Sequence, residues 1–331
     1  MRTFTLATAV VAAFAFSEGA MAAKFTVTNL VSDQPGIAAN TDPDLVNAWG
    51  LSHAPGGPLW VSDNGTDEST IYDSSGNKQF GVSLSPGAPT GTVFVSGSGW
   101  VIAKGAKSGS AIFLFDTESG AIEGWNPSVD QNAVVALDNS AKGAVYKGLA
   151  MDSATNRLFA ANFAKNKVEI YDNTFKQIGS FTDSALPKRF APFNVAVLNG
   201  KLYVAFAKRE LHGIDELHKQ GLGYVDVFDT GGNLQKRLIA NGRLNAPWGM
   251  TIAPRGFGKF SGSLLVGNFG NGRIHAYDAN TGDFMGTLQG TDGKPIAIDG
   301  LWALDGTTGS GVTFTAGPGD ESHGLLGTIS R

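Results

Sequence analysis

The chain has 331 residues, of which 45 are glycine and 16% are charged, and its formal net charge is −4 at pH 7. Glycine is therefore about twice as frequent as in an average protein, and charged residues fall below the usual quarter. The small and evenly spread charge argues against a polyanion-binding surface, so no nucleic-acid partner is expected. Because the chain has no cysteine, disulfides, thiolate metal sites and a cysteine nucleophile are excluded.

The first 22 residues predict a cleaved signal peptide. Arg2 provides a basic start, an apolar stretch runs from Phe4 to Phe16, and Ala20-Met21-Ala22 fits the small-x-small cleavage rule. The stretch is short for a membrane span, and no second hydrophobic segment follows it. We therefore expect cleavage after Ala22, a mature chain without a transmembrane segment, and a secreted or periplasmic location.

Six segments of the remaining chain repeat one pattern. Each has an opening residue pair and a first strand, then a second β-rich strand, and in five copies a later strand that ends in Tyr-Asp or Phe-Asp. The opening pairs are Trp49-Gly50, Thr90-Gly91, Lys147-Gly148, Phe193-Asn194, Trp248-Gly249 and Gly300-Leu301. The spacing is about 50 residues per repeat, which is the length of a four-stranded propeller blade.

These repeats predict one all-β domain over residues 23–331, a six-bladed β-propeller with four-stranded blades. Val, Ile, Phe and Tyr alternate with period two, and no long helical period competes with them. In the second copy, Trp100–Ile102 is expected to be the second strand. The sixth copy lacks an outer strand, and Phe25–Val31 has a strand pattern without a blade of its own. Pairing these two segments would close the last blade and remove an open sheet edge.

Two stretches of the fifth copy resemble NHL-type propeller repeats, whose blades carry a P-x-G-[IVL]-A-V core and a strand before N-x-R-I. They are Pro247–Ile252 and Gly267–Ile274. Further stretches resemble a family of uncharacterised exported bacterial propellers, some of which carry a PEP-CTERM sorting tail. These stretches are Asn47–Leu51, Leu244–Gly249, Leu265–Gly270, Asp299–Leu304 and Phe314–Pro318. The resemblance implies a six-bladed fold and export, but no particular reaction.

Polar residues that follow the second strands are candidates for a ligand site, because ligands of propellers usually bind at a mouth of the central channel. The candidates are Asp63, Asn64, Asn162, Lys208 and Asn268, with Trp49 and Trp248 as aromatic lining. Carboxylate and amide oxygens suit Ca²⁺ or Mg²⁺, so a cation site is predicted at Asp63, Asn162, Asn268 and Asp299. Six-bladed lactonases are similar to this set in residue type. The alternative is that each of these side chains caps a turn.

Two other segments contain histidine beside carboxylates. The insertion Lys208–Gly223 in the fourth copy holds His212 and His218, and it predicts a short helix or a lid over the channel mouth. In a glycine-rich loop near the end of the chain, Glu321 and His323 are candidates for general acid–base catalysis. The same pair could instead orient the turn before the last strand.

Because no complete catalytic motif is present, the sequence favours an exported, monomeric binding module over an enzyme. Its expected partner is a small molecule, a glycan or a protein at the channel mouth. The alternative is a divalent-metal-dependent, lactonase-like hydrolase or lyase with its site in the channel.

Overall fold

The computed structural model describes residues 24–211 and 213–331, so the predicted signal peptide (residues 1–22) and His212 lie outside the described residues. The described chain forms 28 β-strands and three short 3-10 helices, and it contains no α-helix. The 3-10 helices span Ser140–Lys142, Gly258–Phe260 and Phe269–Asn271. None of these described helices has the length and apolar character needed to cross a membrane.

The strands in chain order are β1 (Lys24–Ser32), β2 (Asn40–Thr41), β3 (Ala48–His53), β4 (Leu59–Asp63), β5 (Glu68–Tyr72), β6 (Lys78–Ser83), β7 (Pro89–Phe94), β8 (Val101–Lys104), β9 (Lys107–Ser110), β10 (Phe113–Thr117), β11 (Ala121–Trp125), β12 (Val134–Asp138), β13 (Tyr146–Asp152), β14 (Arg157–Asn162), β15 (Lys167–Tyr171), β16 (Gln177–Phe181), β17 (Phe190–Leu198), β18 (Lys201–Lys208), β19 (Tyr224–Phe228), β20 (Leu234–Ala240), β21 (Pro247–Ile252), β22 (Leu264–Asn268), β23 (Ile274–Tyr277), β24 (Phe284–Thr287), β25 (Gln289–Gly290), β26 (Leu301–Asp305), β27 (Val312–Ala316) and β28 (Leu325–Ser330).

Six sheets arranged around one axis confirm the predicted six-bladed propeller with four-stranded blades. From the axis outward, the blades are β3-β4-β5-β6, β7-β10-β11-β12, β13-β14-β15-β16, β17-β18-β19-β20, β21-β22-β23-β24 and β26-β27-β28-β1. The innermost strands contact one another in this order, and β26 returns to contact β3. The ring of sheets is therefore closed.

The N-terminal strand supplies the outer strand of the sixth blade, as the sequence predicts for Phe25–Val31. Strand β1 pairs antiparallel with β28, from Thr26 opposite Ser330 to Ser32 opposite Leu325. Phe25 is buried, and its ring lies 4.4 Å from that of Phe257, which follows the fifth blade's inner strand. The closing strand is thus held by main-chain pairing within the sixth blade and by apolar packing against the fifth.

The second blade differs from the prediction. Strand β8 pairs with β9 in a separate two-stranded hairpin, whereas β10 pairs with β7 as the second strand of the blade. The assignment of Trp100–Ile102 to the blade was therefore wrong, because a short apolar run fits either place and only its pairing partner distinguishes them. Trp100 is nevertheless fully buried, and its indole nitrogen donates a hydrogen bond to Asn156.

The apolar core lies between adjacent blades instead of at one centre. Between the first and second blades, for example, the ring of Trp60 stacks on that of Phe113 with 4.0 Å between their centroids. Because the adjacent blades cover both faces of each sheet, the second strands are buried along nearly their whole length. Residues Leu158–Asn162 of β14, for example, are all buried.

The inner strands share an irregularity that directs side chains to the axis. The pairing slips between Ala48 and Leu51 in β3, and equivalent bulges occur in β13 and β21. A bulge leaves a residue unpaired and turns its side chain, which here places Trp49 near the axis. The residue after Trp49 is a glycine, Gly50, because a Cβ at this position would lie only 2.3 Å from the carbonyl oxygen of Thr90 in the next blade. The repeated residue-glycine openings of the sequence thus reflect close packing between inner strands.

Candidate functional site

The two ends of the central channel differ in structure. We call the end where the inner strands begin the apical end, and the end where they finish the basal end. At the apical end, the ring of Trp302 stacks on Trp49 with 3.6 Å between centroids and on Phe269 with 3.9 Å. The ring of Trp248 meets Trp49 and Trp302 edge-on. These rings, together with Phe163 and Phe193, form an aromatic plug that fills this end of the channel.

A buried lysine lies against the aromatic plug. The side chain of Lys147 is only 3% exposed, and its ammonium lies 2.7 Å from Oε1 of Glu118 and 3.3 Å from Oδ1 of Asp215. The same ammonium lies 5.1 Å from the centroid of the Trp49 ring, within reach of a cation–π contact. Burial disfavours the charged lysine, but Glu118 and Glu216 outweigh burial and raise the pKa of Lys147.

Side-chain amides connect this ion pair to the C-terminal loop. Asn64 Nδ2 donates to Glu118 Oε2 at 2.9 Å, and Asn47 Nδ2 donates to Asn64 Oδ1 at 3.2 Å and to Glu321 Oε2 at 2.7 Å. The indole nitrogen of Trp302 donates to Asn47 Oδ1 at 2.9 Å. Burial raises the pKa of Glu321, although the hydrogen bond from Asn47 opposes the shift. The apical end is therefore a continuous polar network above an aromatic floor.

The predicted insertion lies over this network. Arg209 and Glu216 form an isolated antiparallel bridge that extends β18, and Asp215 reaches Lys147 from this segment. His218 Nε2 lies 3.1 Å from Glu216 Oε1, and its ring lies 5.0 Å from that of Phe269 in the plug. The described part of the segment forms no helix, so of the two expectations only a cover over the channel end fits. The hydrogen bond to Glu216 raises the pKa of His218.

At the basal end the channel is open. A cavity of about 360 Å³ lies on the axis, and residues from all six inner strands line it. Its polar side chains include Ser52, His53, Thr92 and Asp305, and its apolar side chains include Met151. A volume of this size is within the range of small-molecule sites.

His53 and Asp305 form the charged pair of the basal cavity. His53 Nδ1 lies 2.9 Å from the carbonyl oxygen of Ala54, while Nε2 lies 2.8 Å from Thr307 Oγ1 and 3.3 Å from Asp305 Oδ2. The Thr307 hydroxyl donates to Asp305 Oδ1, so Nε2 is best satisfied as a donor. Because Nδ1 also faces a carbonyl oxygen, both ring nitrogens can donate only in the protonated ring. The hydrogen bond to Asp305 accordingly raises the pKa of His53 despite its partial burial.

Three of the predicted cation ligands occupy equivalent buried positions at the ends of second strands. Asp63 Oδ2 accepts hydrogen bonds from the main chain and the hydroxyl of Thr70, and burial raises the pKa of Asp63 well above its ordinary value. Asn162 Nδ2 donates to Glu169, and Asn268 Nδ2 donates to the carbonyl oxygen of Arg243. Each of these side chains is therefore bonded within its own blade or the loop that leads into it, as the turn-capping alternative anticipates.

The other predicted site residues do not all meet at one place. Asn64, Trp49 and Trp248 come together at the apical end. Exposed Asp299 accepts a hydrogen bond from the main chain of Gly319, and the ammonium of Lys208 lies 5.8 Å from the Phe190 ring.

The suggested acid–base pair is separated in the structure. Glu321 belongs to the apical network through Asn47, whereas His323 Nδ1 lies 2.7 Å from Asp33 Oδ2 and Nε2 lies 2.7 Å from Gln34. Asp33 and Gln34 follow the closing strand β1 in the chain. The described contacts therefore give these two residues different partners, and the alternative that His323 orients the last loop fits its surroundings better.

Within residues 24–211 and 213–331, no three His, Asp or Glu side chains are grouped closely enough to hold a metal ion. The Ca²⁺ or Mg²⁺ site therefore stays a prediction. Sequence reasoning missed Lys147, Glu118, His53 and Asp305 as axial residues. A signal for Lys147 was present, because it precedes a glycine at the same repeat position as Trp49 and Trp248. Nothing comparable indicated His53 and Asp305, whose proximity arises only when the sixth blade meets the first.

Comparisons with known proteins give relatives but no activity. No family model matches the chain. Protein L690 of Acanthamoeba polyphaga mimivirus is 34% identical over 330 residues, which cover 93% of this chain and 86% of L690. Protein R648 of the same virus is 32% identical over 323 residues, which cover 92% of this chain and 80% of R648. Both are described only as uncharacterized proteins, so the bacterial, exported and NHL-like aspects of the sequence resemblance stay predictions.

A solved structure supports the fold alone. The WD40 β-propeller domain of Doa1 superposes with a TM-score of 0.53 over 85% of this chain and 78% of that chain, at 11% sequence identity.

Proposed function

This chain belongs to the family of the mimivirus proteins L690 and R648, and we propose that it is a propeller binding module that holds a small polar ligand in its basal cavity. The observation that carries the proposal is the 360 Å³ axial cavity with the His53–Asp305 pair on its wall. Sequence reasoning placed the ligand at the other mouth, among Asn64, Trp49 and Trp248. We place the ligand in the basal cavity instead, because packed aromatic rings occupy the apical end.

The chemistry of the wall favours a neutral ligand. The charge of His53 is compensated by Asp305, so the basal cavity presents little net charge to a bound molecule. The hydroxyls of Ser52 and Thr92 lie 3.1 Å apart and belong to adjacent blades, and each hydroxyl can both donate and accept a hydrogen bond. Apolar Met151 and Phe94 complete the wall. A hydroxyl- or amide-bearing molecule of about monosaccharide size fits this combination.

A defined panel of neutral monosaccharides, polyols and small amides tests the proposal. Each compound is titrated into the mature chain while histidine ring signals are followed by NMR. We expect saturable binding of at least one compound that shifts the His53 signal, and loss of that binding in Ser52→Phe, which fills the basal cavity. His323→Gln is the matched control, because His323 contacts Asp33 and Gln34 and does not line the basal cavity. If no compound of the panel binds, or if Ser52→Phe binds equally well while remaining folded, the basal cavity is not the ligand site.

The alternative function, a divalent-metal-dependent hydrolase or lyase, would use the apical network. The observation in its favour is that Glu321, whose pKa is raised by burial, lies near Glu118 and the cation of Lys147, since a carboxyl with a raised pKa is suited to act as a general acid. Protein treated with EDTA is titrated with Ca²⁺ and Mg²⁺ by calorimetry and assayed with a simple lactone. Absence of binding heat at millimolar metal, together with absence of turnover, would remove this alternative.

Export and the monomeric state are part of the same proposal. The signal-like segment before Ala23 supports export, and the closing strand β1 pairs within its own chain, which supports a monomer. N-terminal sequencing of the protein from the periplasm or the medium should begin at Ala23. Light scattering should give the mass of one chain. An uncleaved N-terminus or a stable dimer would contradict the respective part.

A further inference from the structure

A second cavity, away from the channel, lies beside the third blade. It has a volume of about 370 Å³, and we call it the lysine pocket. Its rim carries Lys142, Lys165 and Lys167, and its floor is formed by Asn139, Asn162 and Glu169. The three floor residues are each at most 5% exposed. The lysine pocket therefore joins surface ammonium groups to a buried polar floor.

The floor carboxylate is already fully bonded. Glu169 Oε1 lies 2.9 Å from the ammonium of Lys167 and accepts from Asn162 Nδ2 at 3.3 Å. Glu169 Oε2 accepts from the hydroxyls of Tyr146 at 2.8 Å and Tyr171 at 2.5 Å. Burial opposes the charge of Glu169, but these hydrogen bonds outweigh it and lower the pKa of Glu169. Glu169 and Lys167 thus form a compensated pair.

The two remaining lysines have no such compensation. Lys142 Nζ donates to Asn139 Oδ1 at 2.9 Å, which is a neutral acceptor. Lys165 Nζ faces Gly143, where a Cβ would lie 3.0 Å from the ammonium. Among the described residues, neither ammonium lies within salt-bridge distance of a carboxylate. Two positive charges are therefore left at one partly enclosed cavity.

From this arrangement we propose that the lysine pocket binds an oxyanion, a phosphate, sulfate or carboxylate group, between Lys142 and Lys165. Ammonium groups form strong charge-assisted hydrogen bonds with such oxygens, and the cavity has room for a saccharide-sized body attached to the anion. The amide of Asn162 is fixed by the main chain of Val145 and Lys165, so the floor is already ordered before a ligand arrives. This site is independent of the basal cavity.

Calorimetric titrations at low ionic strength test the proposal with sodium phosphate, sodium sulfate and sodium glucuronate. We expect saturable binding of at least one of them to the mature chain. Lys142→Gln combined with Lys165→Gln should weaken that binding by about tenfold or more, because two charged hydrogen bonds are removed. Lys188→Gln combined with Lys201→Gln changes the net charge equally at exposed positions outside the lysine pocket, and should leave the affinity unchanged.

The three anions also distinguish the source of the oxyanion. Tighter binding of glucuronate indicates an acidic saccharide, whereas tighter binding of phosphate or sulfate indicates an ester of that acid. The proposal is overturned if none of the anions binds saturably, or if the Lys142/Lys165 double variant binds as the control does while showing an unchanged melting temperature. His53→Gln should bind these anions normally, so failure at the basal cavity and failure at the lysine pocket remain distinguishable.

Discussion

The two ends of the channel use the same six strands for opposite purposes. At the apical end, bulges direct large side chains to the axis, and Trp49, Trp248 and Trp302 fill the space between the blades. At the basal end the same strands leave an open cavity beside His53 and Asp305. Closure of the ring thus relies on close aromatic packing at the apical end, while the basal end can remain open. Four predictions test whether the two ends differ in this way.

The largest effect is expected for Trp302→Ala in the aromatic plug. Trp302 is fully buried and stacks on two rings, so its removal should lower the free energy of unfolding by about 4 kcal/mol. Met151→Ala at the basal cavity should lower it by about 1 kcal/mol or less, because this half-buried side chain borders open space. Urea denaturation measures both. Equal losses for the two variants would show that the ends do not differ in their contribution to stability.

Lys147→Met should have the next largest effect. The variant leaves Glu118 without its cation in a partly buried network, and breaking such a pair costs about 3 kcal/mol. The double variant Lys147→Met/Glu118→Gln should recover part of the loss, since it removes the stranded charge as well. A double-mutant cycle by urea denaturation measures the coupling. Additive losses would mean that the two groups do not stabilise each other.

His53→Gln should lower the free energy of unfolding by about 1 kcal/mol, and the size of this loss should depend on pH. Because the pKa of His53 is raised in the folded state, its contribution is fully present below the unfolded value near 6.5 and is lost as the pH rises through the folded value. The pKa of Asp305 is lowered, despite its burial, by the hydrogen bonds from His53 and Thr307. The contribution is therefore also lost as the pH falls through the folded pKa of Asp305.

The measurement compares the unfolding free energies of the wild type and His53→Gln between pH 4 and pH 9. The difference should be greatest near pH 6 and should shrink toward pH 9. The histidine NMR titration gives an internal reference, because burial lowers the pKa of His275 to about 4 whereas that of His53 is raised. A difference that grows with pH would contradict the proposed protonated pair.

The smallest effect is expected for Asp215→Asn. Asp215 also contacts Lys147, but its side chain is 66% exposed and the distance is 3.3 Å, so the contact should contribute only a few tenths of a kcal/mol. The melting temperature should change by about 1 °C or less. A loss comparable to that of Lys147→Met would show that the insertion is an integral part of the apical network.

The fold was predictable because each blade repeats the same local signals. The six opening residue pairs and the unpaired strand pattern of Phe25–Val31 were sufficient to predict six blades and their closure. Trp100–Ile102 was misassigned because the β8–β9 hairpin interrupts the second blade with apolar residues of its own. Local pattern does not distinguish an inserted hairpin from a blade strand, since the distinction depends on long-range pairing.

The candidate site was less predictable, because it depends on which residues meet across the axis. Asn64 was selected because it follows a second strand, and Trp49 and Trp248 because they lie near the start of inner strands. Both of these repeat positions do lie at the apical end. Asp63, Asn162 and Asn268 share another repeat position, yet each of these side chains makes local hydrogen bonds instead of meeting the others at the axis. His53 and Asp305 stand at opposite ends of the chain, and no spacing rule connects residues that only ring closure brings together.

The pairing of β1 with β28 also has a kinetic consequence. Residues near the beginning of the chain must wait for those near its end before they reach their final hydrogen-bonding partners, so the last step of folding closes a loop of almost the entire polypeptide. Contacts of such high sequence separation form slowly. During synthesis, β1 would thus emerge early yet be among the last strands to become ordered, and until then the outer edge of β28 would be exposed to other chains.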